Sequence, residues 1–144
     1  MATYTHYNTF VENLANKLID WFGATDTYKA VIHTDAPVVA TDNVLGDLTQ
    51  IGGSNGYTTG GTDITFNSTR TTTVVTATSV DVVWTASGGN LGSSTTGRYV
   101  SIYDDTSALD NLMASYDYGS TFTVASGETF TLDFGASLAT LSAT

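Results

Sequence analysis

The fold class is decided by residues 112–134, which read LMASYDYGSTFTVASGETFTLDF. Along this stretch apolar and polar side chains alternate with a period of two, the spacing of a strand that buries one face. The alternation breaks at 125–127, a turn sequence, and resumes with Phe130, Leu132 and Phe134 on one face. The stretch therefore predicts two antiparallel strands that pair as a hairpin over a buried core.

Earlier stretches of the chain carry the same pattern, with β-branched and aromatic residues between turn-forming residues. They lie near 28–34, 63–66, 72–77, 80–86 and 98–104, and a last edge strand is expected near 138–141. The loops 52–61 and 88–97 are rich in glycine, and a short helical turn is predicted near 44–48. Seven to eight short antiparallel strands predict a mainly β domain, a β-sandwich or jelly-roll-like fold.

One amphipathic α-helix is predicted ahead of the strands. Apolar side chains recur at helical spacing from Phe10 to Phe22, and polar side chains occupy the opposite face. Thr9 and Glu12 have the spacing of a capping box, in which each side chain bonds the backbone N–H of the other residue. These signals predict a helix over 9–22 whose apolar face packs on the sheet.

The chain of 144 residues is predicted to be one domain, with an arm at 1–8, the helix, and a β body at 27–144. The arm holds three aromatic side chains outside any predicted element, and we expect it to dock on a neighbouring molecule. The glycine-rich loop 52–61 holds a further tyrosine, a residue type that is enriched at protein interfaces. The predicted protein-interface residues are Tyr4, His6, Tyr7, Asn55 and Tyr57.

The charge balance excludes several partners. The chain has 4 Lys and Arg residues against 14 Asp and Glu residues, a formal net charge of −10. Because nucleic-acid binding needs basic residues to neutralise phosphates, no nucleic-acid partner is expected, and an anionic membrane surface would repel the chain. The sequence shows neither a secretory signal nor an apolar stretch long enough to span a bilayer, so we expect a soluble protein synthesised in a cytoplasm.

No enzymatic activity is predicted. Residues 52–56 match the G-x-S-x-G pattern of hydrolases, but that chemistry needs a strand before the serine, a helix after it and a downstream histidine. His6 and His33 both precede Ser54, so a plain β-turn is the preferred interpretation. His33 is expected to be a hydrogen-bonded residue within a strand.

No cofactor and no metal site are predicted. The chain has no cysteine, and its two histidines show no metal-binding spacing. The pair 104–105, and Asp42 with Asp47, offer carboxylate oxygens without the spacing of an EF-hand loop. A calcium ion held by dispersed loop oxygens is the alternative left open.

The order of several segments resembles that of a known protein family. After the helix come 28–33 (YKAVIH), 36–37 (AP), 43–48 (NVLGDL), 55–58 (NGYT), 82–89 (VVWTASGG), 98–99 (RY), 103–105 (YDD) and 127–134 (GETFTLDF). Nearly the whole chain resembles the small virion structural proteins of tailed bacteriophages, some of which are capsid decoration (cement) proteins. The resemblance carries no catalytic motif.

The resemblance implies a non-enzymatic structural protein of the virion, and the exterior of the capsid is the preferred location. Its expected partners are the major capsid protein and copies of itself, as a trimer or a dimer that matches a lattice axis. The alternative function is that of a tail or fibre adhesin module, which would bind host surface glycans through exposed tyrosines.

Overall fold

The protein is a mainly β domain, as the sequence predicts. The computed structural model describes residues 2–22, 25–93, 96–135 and 139–142, the last range by its backbone alone. This part of the chain holds ten strands in antiparallel sheets and one short helix near the N-terminus. In chain order the elements are β1 Thr3–His6, α1 Asn8–Ala15, β2 Tyr28–His33, β3 Thr62–Ile64, β4 Phe66–Thr71, β5 Val74–Ser79, β6 Val82–Thr85, β7 Gly97–Asp104, β8 Asn111–Phe122, β9 Thr129–Leu132 and β10 Ala139–Ser142.

The largest sheet has five strands in the order β1-β8-β7-β2-β3. Both of its faces are covered. Alternate residues such as Ile32 and Val100 belong to the main apolar core, whereas Val31 and Tyr103 belong to a second, smaller core with Leu48. This explains why β2 and β7 are nearly continuous runs of buried residues.

The two other sheets close the main core from the opposite side. One has the order β10-β5-β4 and the other consists of β6 and β9. Ala77 of β5, Trp84 of β6 and Leu132 of β9 belong to the same core cluster as Ile32 and Val100 of the large sheet. The packing of sheets around one apolar layer is sandwich-like.

The predicted hairpin between 112–122 and 129–134 is wrong. Both strands exist, but β8 pairs with β7, and β9 pairs with β6, so that Phe130 lies opposite Trp84. The turn after Val124 bonds to the end of β6, because Gly127 N donates to Ala86 O at 2.8 Å and Ala86 N donates to Glu128 O at 2.9 Å. These bonds carry the chain from the large sheet to the other side of the core.

The prediction that residues 1–8 form an arm outside any element is also wrong. Residues Thr3 to His6 form β1, an edge strand that pairs with β8 in antiparallel register, with Tyr4 opposite Tyr116. Tyr7 N then donates to Met113 O at 3.0 Å and extends the pairing by one residue. The segment is part of the chain's own sheet, and its backbone is already paired along one edge.

The helix is shorter than the predicted 9–22. It ends at Ala15, because Lys17 adopts a positive φ of 56° and reverses the chain. Leu18 N donates to Asn13 O at 2.9 Å and Lys17 N donates to Leu14 O at 3.2 Å, which is the Schellman pattern of a helix end. Lysine here occupies the position that glycine usually fills.

The predicted capping box is absent. The helix begins at Asn8 after Tyr7, which makes no side-chain capping bond, and the buried Oγ1 of Thr9 has no hydrogen-bond partner among the described residues. The pairing of β1 with β8 fixes where the chain enters the helix. Thr9 therefore lies inside the first turn instead of before it.

Replacing Thr9 by valine distinguishes the two positions. We expect Thr9→Val to leave the free energy of unfolding unchanged or to raise it by up to about 1 kcal/mol, because a buried hydroxyl without a partner is removed. Loss of a capping residue would instead lower it by about 1 kcal/mol. Urea unfolding measures the difference, with Thr5→Val in β1 as the control for an exposed hydroxyl.

Candidate functional site: a groove beside the helix

A groove of about 880 Å³ lies beside α1. One wall is formed by α1 and by the segment 16–22 that follows it. The opposite wall comes from the chain around Asp26 and from the end of β7 at Asp104. Its lining includes Val11, Leu18, Trp21, Phe22, Asp26 and Asp104.

The groove exposes apolar side chains. Val11, Leu18 and Phe22 are 57%, 54% and 39% exposed, although the sequence places them in a helix face predicted to pack on the sheet. Within α1 only Phe10 is buried. After the reversal at Lys17 the chain alternates, so that Ile19 and Trp21 turn into the core while Leu18 and Phe22 remain at the surface.

Trp21 forms the aromatic base of the groove. Its ring stacks on Phe22 at 4.8 Å between centroids and makes edge contacts with Phe10 at 5.1 Å and Phe66 at 6.1 Å. The indole Nε1 is buried and has no acceptor among the described residues. A buried N–H group without an acceptor is energetically unfavourable.

Asp104 lies at the end of β7 and is fully buried. Its Oδ1 accepts hydrogen bonds from the backbone N–H groups of Thr106, at 2.8 Å, and Ser107, at 3.2 Å. Its Oδ2 has no partner that donates a hydrogen bond. Burial, with the adjacent carboxyl group of Asp26, raises the pKa of Asp104 to about 6.

Two carboxyl groups therefore face each other at the groove without a cation between them. Asp26 is half-buried, and its Oδ2 accepts a hydrogen bond from Asp20 N at 2.6 Å. The ion pairs found among the described residues involve neither Asp26 nor Asp104. Lys17 lies on the groove wall, but it is not within ion-pair distance of either carboxylate. The groove combines an apolar wall with uncompensated negative charge.

A second polar cluster lies on the opposite face of the large sheet. Ser101 Oγ is 2.9 Å from both the Tyr7 hydroxyl and His33 Nε2, and His33 Nδ1 is 3.0 Å from the backbone oxygen of Asp35. Burial lowers the pKa of His33, although the Asp35 carboxylate acts in the opposite direction. The neutral imidazole then donates from Nδ1 to Asp35 and accepts the Ser101 proton at Nε2, so the Ser101 oxygen accepts from Tyr7.

This serine and histidine are in hydrogen-bond contact as in a hydrolase, but both are fully buried. A substrate cannot reach the Ser101 oxygen without opening the sheet, so the geometry supports a structural role. The cluster joins β2, β7 and the residue that precedes α1. The prediction that His33 is a hydrogen-bonded strand residue is confirmed.

Removing the shared serine measures that role. We expect Ser101→Ala to lower the free energy of unfolding by about 2 kcal/mol, because the Tyr7 hydroxyl and His33 Nε2 both lose a buried partner. Chemical denaturation provides the measurement, and Ser68→Ala on the exposed β4 is the matched control. Equal stability of the two variants would contradict a structural role for the cluster.

The five predicted interface residues are not brought together in one surface. Tyr7 and Tyr57 are buried in the chain's own cores, and the Tyr57 hydroxyl accepts from Ile32 N at 3.1 Å, so neither offers a contact surface. Asn55 is half-buried and donates from Nδ2 to Asn90 O at 2.9 Å. Tyr4 is half-buried against Tyr116, and His6 is exposed. For Tyr4, His6 and Asn55 the interface role stays a prediction.

The tyrosines expected of a glycan-binding module are not exposed. All eight tyrosines of the chain lie in the described part, six of them buried and the other two half-buried. The two half-buried rings pack on other aromatic rings, Tyr4 on Tyr116 and Tyr118 on Phe122 and Phe130. None of the tyrosines is fully exposed, as a tyrosine on which a sugar stacks would be.

The remaining motifs have local structural explanations. Tyr57 N donates to Ser54 O at 3.0 Å, and the two residues between them have positive φ, so G-x-S-x-G forms the predicted β-turn. Asp42 and Asp47 accept hydrogen bonds from backbone N–H groups of their own loop. The described residues contain no group of three or more His, Cys, Asp or Glu side chains suited to a metal ion.

Comparison of the chain with protein families, curated proteins and solved structures finds no match. No helix in the described ranges is long and apolar enough to cross a bilayer. The groove beside α1 is the feature of the described structure that indicates a binding role.

Proposed function

We propose that this chain is a non-enzymatic structural protein of a tailed-phage virion, and that it decorates the capsid by binding the major capsid protein. The observation that supports a binding role is the groove beside α1, which leaves Val11, Leu18 and Phe22 exposed in a monomer. The identity of the partner is supported by the resemblance of the chain's segments to small virion proteins.

The physical chemistry of the chain suits this role. A decoration protein stabilises a shell because it binds the assembled lattice in preference to separate subunits. A trimer or dimer that engages several lattice sites gains further affinity through effective concentration. The net charge of −10 keeps copies soluble and apart until a specific contact holds them.

Purified heads that lack decoration test the proposal. We expect the protein to bind them saturably, in a copy number matched to the symmetry axes of the lattice, and to raise their melting temperature. Quantitative mass spectrometry of intact particles gives the copy number independently. Hundreds of copies per particle support the shell location, whereas about a dozen would favour the tail and contradict the proposal.

Paired serine substitutions test whether the groove is the contact surface. Val11→Ser removes an exposed apolar side chain from the groove, and Val80→Ser removes one from outside it. We expect the Val11 variant to bind heads about tenfold more weakly, because an apolar side chain buried at an interface contributes about 1.5 kcal/mol. The Val80 variant should bind as the unchanged protein does. Equal binding by both variants would contradict the groove as the contact.

A further inference from the structure

The groove has a chemical asymmetry that restricts what can occupy it. The wall formed by α1 and residues 16–22 is largely apolar, with Leu18 and Phe22 exposed, while the carboxyl groups of Asp26 and Asp104 lie at the opposite wall. Asp26 is accessible from the groove because it is half-buried, and Asp104 lies directly behind it. An occupant must supply apolar surface at one end and positive charge at the other.

Two buried polar atoms beside the groove lack a hydrogen-bond partner among the described residues. Trp21 and Asp104 both line the groove, and each is more than nine-tenths buried. Trp21 Nε1 is a donor without an acceptor, and Asp104 Oδ2 is an acceptor without a donor among the described residues. Burial without a partner is unfavourable for both groups, so this side of the groove is polar and carries negative charge that no cation of the described residues neutralises.

We infer that the groove binds a partner protein segment through one lysine or arginine side chain, with its alkyl stem on Leu18 and Phe22 and its cation on the half-buried carboxylate of Asp26, in front of the buried Asp104. Lysine and arginine combine an apolar stem with a charged head, as the two ends of the groove require. That the segment belongs to the major capsid protein rests on the proposed function.

A divalent metal ion fits the groove less well. Calcium takes six to eight oxygen ligands, whereas the described residues contain no group of three or more acidic, histidine or cysteine side chains suited to a metal ion, and the wall beside Asp26 is largely apolar. A cation carried on a hydrocarbon stem uses that apolar wall, and a metal ion does not. Binding of calcium alone would therefore contradict the inference.

Two synthetic peptides and the full chain provide the test. One is a capped seven-residue peptide with a central lysine between leucines, and the other replaces that lysine by norleucine, which keeps the apolar stem without the charge. In ¹⁵N-correlated NMR spectra the protein gives two indole N–H signals, from Trp21 and from Trp84 in the core. We expect the lysine peptide to shift the Trp21 signal saturably and to leave the Trp84 signal unchanged.

The charge requirement is measured by comparing the peptides. We expect the norleucine peptide to bind at least about tenfold more weakly, since a hydrogen bond to a charged group contributes more than one factor of ten. Asp104→Asn should weaken the lysine peptide by about tenfold and leave the norleucine peptide unaffected. Glu12→Gln, which removes one exposed carboxylate outside the groove, should leave both unchanged.

Several results would overturn the inference. The first is equal binding of the two peptides, and the second is a shift of the Trp21 signal produced by calcium chloride alone. The third is self-association that Asp104→Asn abolishes, which would make a second copy of the chain the occupant.

Binding to heads separates this inference from the proposed function. If the unchanged protein and Asp104→Asn bind heads equally, the inference fails and the decoration role stands. If the lysine peptide binds but heads do not, the decoration role fails and the inference stands.

Discussion

Gly61→Ala is expected to lower the free energy of unfolding by about 3 kcal/mol or more. Gly61 has a φ of +84°, which side chains with a Cβ rarely adopt. A Cβ at this position would also overlap the backbone oxygen of Ala30 and lie 2.8 Å from Cγ1 of Val31. Both residues belong to β2, which lies between β7 and β3 in the sheet, so the clash cannot be relieved by moving a side chain alone.

A second glycine separates the two causes. Gly119 has a similar φ of +80°, but a Cβ there would meet no atom within 4 Å. Gly119→Ala therefore measures the backbone cost alone, which we expect to be about 1 kcal/mol. Chemical denaturation of both variants gives the two losses. If they are equal, the close approach of residue 61 to β2 does not occur in solution.

The positions of the strands could be predicted because their signal is local. The alternation of β9 and the runs of β-branched and aromatic residues in β2 and β7 locate these strands without any distant partner, although both faces of β2 and β7 are buried. The pairing of the strands could not be predicted from this signal, because the patterns of β8 and β9 also fit a hairpin between these two strands. Their separation depends on bonds between Ala86 and the turn at Gly127, which the pattern of neither strand contains.

The length of the helix could not be predicted because residues 18–22 satisfy two periods. Ile19 and Trp21 continue the helical stripe of α1, but they are also alternate residues of an extended segment. The deciding event is the positive φ of Lys17, and lysine gives no signal for it. Glycine or asparagine at this position would have predicted the end of the helix. The groove depends on this reversal, so it could not be predicted either.

The prediction that Tyr7 and Tyr57 are interface residues is wrong, because both side chains are buried. The Tyr57 hydroxyl bonds to a residue 25 positions away, and the Tyr7 hydroxyl bonds to Ser101, 94 positions away. Local composition describes a tyrosine in a polar loop correctly but says nothing about a partner at that separation. Burial of both rings therefore became visible only in the folded chain.

Asp104→Asn is expected to raise the free energy of unfolding by about 2 kcal/mol near pH 7.5, although it alters a fully buried residue. The asparagine oxygen can keep the bonds from Thr106 and Ser107 that Oδ1 now accepts. The asparagine nitrogen replaces Oδ2, which has no donor, and can donate to the carboxylate of Asp26. A charged and unpaired atom is thereby replaced by a neutral donor that has an acceptor.

The pH dependence gives the sign of the effect. The pKa of Asp104 is raised to about 6 in the folded chain from an ordinary value of 3.8, so the folded state holds a proton that the unfolded state has released. The stabilising contribution of that proton is complete below pH 3.8 and is lost as the pH rises through about 6. The advantage of the variant should therefore be largest above pH 6 and should nearly disappear near pH 4.

The burial of His33 produces the opposite trend in both proteins. Because the pKa of His33 is lowered in the folded chain, the unfolded state takes up its proton first as the pH falls below the ordinary value of 6.5. This loss is common to the unchanged protein and to Asp104→Asn, so the difference between their unfolding free energies isolates the carboxyl group. Urea unfolding at several pH values measures that difference.

Glu12→Gln is the matched control for charge. It also removes one negative charge from a chain of net charge −10, but from an exposed position, so it reports only the general relief of repulsion. If Asp104→Asn gained no more than this control at pH 7.5, Asp104 would already be compensated in the free protein. The uncompensated pair that makes the groove a cation site would then be absent, so this measurement tests the premise of the inferred lysine or arginine contact without any ligand.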